Sequence, residues 1–231
     1  ALEMTKWFDT NYHYIVPELE PEQDFRISSS KPFDEFREAK EEGVLTRPVL
    51  VGPVTFLLLS KSRTAGFEPF PDLLEPALEA YAEVVDRLAS LGAEWIQMDE
   101  PCLALDLSER ELRGLEQAYG RLSEASGGSR LLLQTYFGHV GDAYEVLTSL
   151  PVDGIGLDFV RGREGNLARL EEHGFPADRQ LSAGVVDGRN IWINDYRDSL
   201  ALLDRIRRQV DDDRLIVSPS CSLLHVPLDA S

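Results

Sequence analysis

Apolar and polar positions along the chain follow two periods. Short runs of apolar and β-branched residues, bounded by breakers, recur at Asn11 to Val16, Pro48 to Gly52, Trp95 to Asp99, Leu131 to Thr135, Gly154 to Phe159, Leu181 to Val186 and Leu215 to Ser218. Each reads as a strand. Between them the apolar residues fall at i, i+3, i+4 spacing. Leu74, Leu78, Tyr81, Val84, Val85 and Leu88 form one such stripe, stopped by Gly92. Phe33 and Phe36 mark an earlier helix that ends near Gly43. Further helices are expected from Ser108 to Ala125, opened by the capping-box pattern Ser-Glu-Arg-Glu, and over Asp142 to Leu150, Asn166 to Glu172 and Ile193 to Val210.

Strand and helix alternate throughout, and most strands are apolar on both faces. A parallel sheet covered by helices is the expected arrangement. A doubly wound sheet would carry a Gly-rich phosphate turn after its first strand, and neither G-x-G-x-x-G nor G-x-x-x-x-G-K-[ST] is present. The strands instead end in polar residues: Asp99-Glu100, Gln134-Thr135, Asp158, Asp187 and Ser218-Pro-Ser-Cys221. That pattern predicts an α/β fold of the (β/α)8 TIM-barrel type. Seven strands are counted where eight are needed, so the barrel is expected to be incomplete, with its first strand upstream of Ala1. The 231 residues are expected to form a single domain.

Charge narrows the function. Asp and Glu number 41 against 23 Lys and Arg, a net charge of −18, and only four of the cations are Lys. No basic stripe survives for a phosphate backbone or an anionic membrane, so neither nucleic acid nor membrane is expected as a partner. No apolar run is long enough to cross a bilayer, and the first residues lack the pattern of a signal peptide. Two cysteines do not make a disulfide framework, which points to a reducing, cytoplasmic setting.

The candidate chemistry lies at the strand ends. Asp99 and Glu100 could bind an amine, act as acid and base, or hold a metal; alternatively Asp99 caps the next loop and Glu100 is solvated. His13, His139, His173, His225, Cys102 and Cys221 show no ligand spacing, so no metal site is expected. Cys221 follows a strand end but has no motif-linked base. Lys6 sits among aromatics before the first strand. On its chemistry alone it is either an anion contact or a snorkelling surface residue.

Five strings then carry a resemblance. They are Glu3-Met-Thr-Lys-Trp-Phe-Asp-Thr-Asn-Tyr-His-Tyr-Ile-Val-Pro17, Arg47-Pro-Val-Leu-Val-Gly-Pro-Val-Thr55, Trp95-Ile-Gln-Met-Asp-Glu-Pro101, Leu181-Ser-Ala-Gly-Val-Val-Asp-Gly-Arg-Asn-Ile-Trp192 and Ser220-Cys-Ser-Leu-Leu-His225. In this order they resemble the N-terminal barrel of the cobalamin-independent methionine synthase family. The resemblance implies a two-barrel parent enzyme that moves the methyl group of 5-methyltetrahydropteroyl-polyglutamate to homocysteine, giving methionine. It also implies that zinc and the reaction belong to the C-terminal barrel, which is absent from this chain. Where the catalytic barrel has its His-x-Cys ligands this chain has Thr135-Tyr136-Phe137, and at the Glu ligand it has Asp158. Only Cys221 keeps a ligand type. Arg189 stands at the place of the proton donor, and Leu105 replaces a second acid that would hold homocysteine.

The expectation is therefore no catalytic residue, no metal and no cofactor in this chain. Asp99, Glu100, Asp158 and Cys221 are expected to be vestigial at the barrel mouth. Lys6 is expected to bind the folate tail, with the C-terminal barrel of the same polypeptide as partner and scaffolding as the chain's role. Two alternatives stay open: a self-sufficient single-barrel enzyme using Asp99, Glu100, Asp158 and Cys221, or a purely structural domain.

Overall fold

The computed structural model describes residues 3–226. Six strands form one parallel sheet: β4 (Val49–Val51), β6 (Trp95–Asp99), β7 (Arg130–Gln134), β8 (Gly154–Asp158), β9 (Gln180–Val186) and β10 (Leu215–Pro219). Their spatial order follows chain order from β4 to β10 without a reversal. A doubly wound sheet needs a reversal, so this order agrees with the barrel expectation.

The first strand of the sequence reading takes a different place. His13–Ile15 (β2) pairs antiparallel with Met4–Lys6 (β1) in a separate hairpin, and does not join the parallel sheet. Among the described residues the barrel thus holds six strands, two short of closure. The local β pattern of residues 11–16 was sound, but a strand's own residues do not name its partner. A second small pair joins β3 (Glu18–Leu19) to β5 (Lys61–Ser62).

The helices are α1 (Lys31–Glu41), α2 (Pro53–Leu58), α3 (Pro69–Asp72), α4 (Leu74–Ser90), α5 (Glu109–Ala125), α6 (Tyr144–Ser149), α7 (Arg163–His173) and α8 (Tyr196–Ile206). α2 was not expected; its Pro53 supplies a favourable first helical position. The capping box at Ser108 forms as anticipated, with Ser108 Oγ accepting from the Glu111 N–H and Glu111 from the Ser108 N–H. Ile96 and Met98, Leu131 and Leu133, Ile155 and Leu157 face the helix layer, where Leu78, Val85, Leu115, Leu122 and Leu170 are fully or almost fully buried.

The other sheet face is polar. Gln97, Asp99, Gln134, Ser182 and Ser218 point into the space the sheet curls around. Gly156 makes room for this polar layer, because a Cβ there would come within 2.0 Å of Gln134 Oε1.

Candidate functional site

The C-terminal ends of the strands open onto a cavity of about 650 Å³. Its floor is the polar sheet face. One wall is the turn after β10, with Cys221 and Ser222, and another is the β1–β2 hairpin, with Trp7, Tyr12, His13 and Tyr14. Arg47 and Val49 line it from the β4 edge.

Of the four acids and thiols expected at the mouth, the structure brings two to this cavity: Asp99 and Cys221. Asp99 accepts a hydrogen bond from Gln97 Nε2 at 2.7 Å and another from the Tyr136 hydroxyl. Trp7 in turn bonds the Tyr136 hydroxyl, so an aromatic relay runs from the hairpin to Asp99. Burial pushes the Asp99 carboxyl up to about 6, against the lowering pull of these hydrogen bonds and of the Arg47 charge. Burial also pushes the Cys221 thiol up to about 12, so it stays protonated near neutral pH.

Glu100 and Asp158 are elsewhere. Glu100 is fully buried and turns to the helix side, so it neither solvates nor faces the mouth. Its oxygens accept from Val54 N–H at 3.2 Å, Thr55 N–H at 2.7 Å and the Tyr119 hydroxyl at 3.2 Å. It thereby ties the start of α2 to α5. Burial raises its carboxyl to about 7 even though these donors favour the anion. The sequence held a signal for this. Carrying the strand's period of two one residue past Asp99 places Glu100 on the face of Ile96 and Met98.

Asp158 is also fully buried, and its oxygens hold three backbone N–H groups: Phe137 at 2.9 Å, Val160 at 2.8 Å and Arg161 at 2.8 Å. Burial raises its carboxyl too. It is a loop clamp, and its lone pairs are already committed.

Arg189 is a tether. With Arg161 it grips Asp9 at the hairpin turn, at 2.8 and 2.7 Å, and its guanidinium lies 5.0 Å from the centre of the Phe137 ring. Two residues in this region hold positive φ, Phe8 at 51° and Phe137 at 74°, and their rings meet at 5.8 Å. The sequence reading assigned Asp9 no role, and no local motif announced its pairing with residues 152 and 180 positions away.

Lys6 lies on β1 with its side chain exposed and outside the cavity lining. Lys31 pairs with Glu35, Lys61 with Glu3, and Lys40 donates to the Leu91 carbonyl. Lys6 has no such partner among the described residues.

Zinc finds no donor set at the strand ends. Thr135 donates its hydroxyl to the Gly156 carbonyl at 2.7 Å, Tyr136 is engaged with Asp99, and Asp158 is committed to backbone N–H groups. Among the described residues no three His, Cys, Asp or Glu side chains gather as a metal group. The residues present do not fit a zinc site. The His225 side chain lies outside what the structure describes. No helix among the described residues is long and apolar enough to cross a membrane.

Comparison with known proteins decides the family. The family description "Cobalamin-independent synthase, N-terminal domain" matches residues 1–211. The chain belongs to this family.

A 5-methyltetrahydropteroyltriglutamate–homocysteine methyltransferase of Caulobacter vibrioides is 52% identical over 235 residues, spanning 99% of this chain and 29% of its own length. One from Catharanthus roseus is 50% identical over 233 residues, spanning 99% of this chain and 30% of its own. The chain thus spans about 30% of the length of the curated relatives it matches. Among solved structures, a B12-independent methionine synthase from a Shewanella species, in complex with selenomethionine, superposes with a TM-score of 0.70 at 16% identity. It covers 99% of this chain and 69% of that one. That likeness carries the fold: this synthase-family domain is an incomplete barrel of the TIM type.

Proposed function

We propose that this domain is the non-catalytic barrel of a cobalamin-independent methionine synthase in the cytoplasm. In this reading it scaffolds a C-terminal barrel of the same polypeptide and holds the polyglutamate tail of 5-methyltetrahydropteroyl-polyglutamate through Lys6. The parent reaction is methyl transfer to homocysteine, with zinc in the C-terminal barrel. The observation that carries the reading is Lys6 itself. In a chain of net charge −18 it is a cation with no protein partner among the described residues, held on a tethered hairpin beside the barrel mouth. A compact ammonium in that setting suits a chain of carboxylates. The commitment of Asp158 and Glu100 to backbone donors supports the absence of chemistry here.

The test is direct. The chain alone is expected to show no methyltransferase turnover and no stoichiometric zinc by elemental analysis; turnover with one zinc per chain would overthrow the reading. Binding of the folate triglutamate should weaken several-fold in Lys6→Ala, as expected for an exposed charge pair of up to about 1 kcal/mol.

A single-barrel enzyme is the second reading, favoured by one observation: Asp99, with its carboxyl raised to about 6, shares the cavity with Cys221. It requires that Asp99→Asn abolish an activity of the isolated chain.

A further inference from the structure

The mouth lacks a zinc site, yet its cavity is furnished for a ligand. Two side chains of opposite formal charge line it, Asp99 on the floor and Arg47 at the β4 edge. Register sets Asp99 level with Val51, further along β4 than Arg47. Burial raises the Asp99 carboxyl to about 6 and lowers the Arg47 guanidinium, and the charge of each works against the shift of the other. The two therefore lie within reach of each other's field. No ion pair or hydrogen bond among the described residues joins them. Opposite charges drawn from water into one cavity and held apart are each incompletely compensated. A group that touches both at once removes the deficit on each.

The carboxylate is held ready. Gln97 Nε2 donates to Asp99 at 2.7 Å, and the Tyr136 hydroxyl, itself bonded by Trp7, donates as well. A carboxylate offers about four acceptor directions, so two donors leave capacity on oxygens that line the cavity. Trp7, Tyr14 and Tyr136 add aromatic surface to the same wall, and the rings of Trp7 and Tyr14 meet edge-on at 5.4 Å. Deeper in, the Ser182 and Ser218 hydroxyls are bonded to each other at 3.0 Å, and the Cys221 thiol is neutral near pH 7. Neither adds charge. The volume of about 650 Å³ is within the usual range for a small-molecule site.

We infer that the mouth cavity binds a small zwitterion, a free amino acid with an apolar side chain: its ammonium group sits on Asp99, its carboxylate on Arg47, and its side chain against the aromatic wall. A ligand of no net charge matches one carboxylate and one guanidinium facing the same space. No bond is made or broken. The inference does not use Lys6 and goes beyond the tail reading, since a barrel mouth without chemistry keeps a ligand of its own.

The experiment is a calorimetric titration of the chain with L-leucine and its two halves, 3-methylbutylamine, which lacks the carboxylate, and 4-methylpentanoate, which lacks the ammonium group. Wild type, Asp99→Asn and Arg47→Gln are compared, and thermal unfolding checks that each variant is folded. Wild type should bind leucine about tenfold more tightly than either half, the scale of one hydrogen bond to a charged group. Asp99→Asn should weaken leucine about tenfold and leave 4-methylpentanoate no weaker. Arg47→Gln, at the more open edge, should weaken leucine about fivefold and leave 3-methylbutylamine no weaker. If Asp99→Asn fails to fold, Arg47→Gln decides alone. The inference is overturned if millimolar leucine gives no binding heat, if either half binds as tightly as leucine, or if leucine binds a folded variant as tightly as wild type. None of these outcomes bears on Lys6, whose test with the folate triglutamate is separate.

Discussion

Glu100 shows how a single buried acid fixes the local geometry. Gly52 begins α2 opposite it, and a Cβ at that position would lie 2.1 Å from Glu100 Oε1. Gly52→Ala is therefore expected to cost about 1–3 kcal/mol by chemical denaturation, because neither the backbone nor the clamped carboxylate can retreat. The same residue makes a pH prediction. Its carboxyl rises from 4.5 to about 7 on folding, so between those values the folded state holds a proton that the unfolded state has lost. Stability should then fall as pH rises through that window, by about 1.4 kcal/mol per unit at the steepest, and level off above it. Glu100→Gln should remove this component from a denaturation series run between pH 4 and 8; an unchanged slope would refute the assignment. The residue-scale legibility of the sequence was uneven for a physical reason. Asp99 and Cys221 were found at the mouth because strand ends mark it. Glu100 and Asp158 were grouped with them by chemistry, whereas the direction in which each side chain points depends on strand phase and on loops that a string of letters does not display.

Among the elements, the β1–β2 hairpin depends on remote contacts. Its ladder is only three residues long on each side, and such a hairpin is marginal in water by itself. Asp9, gripped by two arginines, and the Phe8–Phe137 ring contact at 5.8 Å attach it to the barrel. Asp9→Asn should weaken both ion pairs and loosen the hairpin, with faster amide exchange over residues 4–15 and little change in the Tm of the sheet. Protection that is unaltered would show that the aromatic contacts suffice. α5 offers a contrasting, local case: Ser108→Ala should cost about 1 kcal/mol through loss of the capping box, read from thermal unfolding. That cap, the helices with continuous apolar stripes and the six parallel strands were all legible, since each is written in neighbouring residues. The hairpin was legible as a strand and illegible as a partner, because its attachment runs through residues 161 and 189.

At the scale of the molecule, the six-stranded sheet leaves β4 and β10 without a strand neighbour on one side among the described residues. Val49 and Val51 on the first are 54% and 42% exposed, and Val217 on the second is 57% exposed. Unpaired parallel edges flanked by apolar side chains are templates for association. Light scattering should show concentration-dependent self-association of the chain, reduced by Val217→Lys; a monodisperse wild type would contradict this. The attachment of the hairpin has a consequence in time. Tyr12 donates to the Leu224 carbonyl across 212 positions, and Asp9 meets Arg189 across 180. On a ribosome adding about 5–20 residues per second, the hairpin would emerge roughly 10–40 s before its anchors exist. Trp7, Phe8, Tyr12 and Tyr14 must wait through that interval as a nascent aromatic segment without the Arg189 and Leu224 anchors. The segment that carries the proposed ligand contact is made well before its anchors and settles only after them, which makes it the natural place for a chaperone to hold this chain during synthesis.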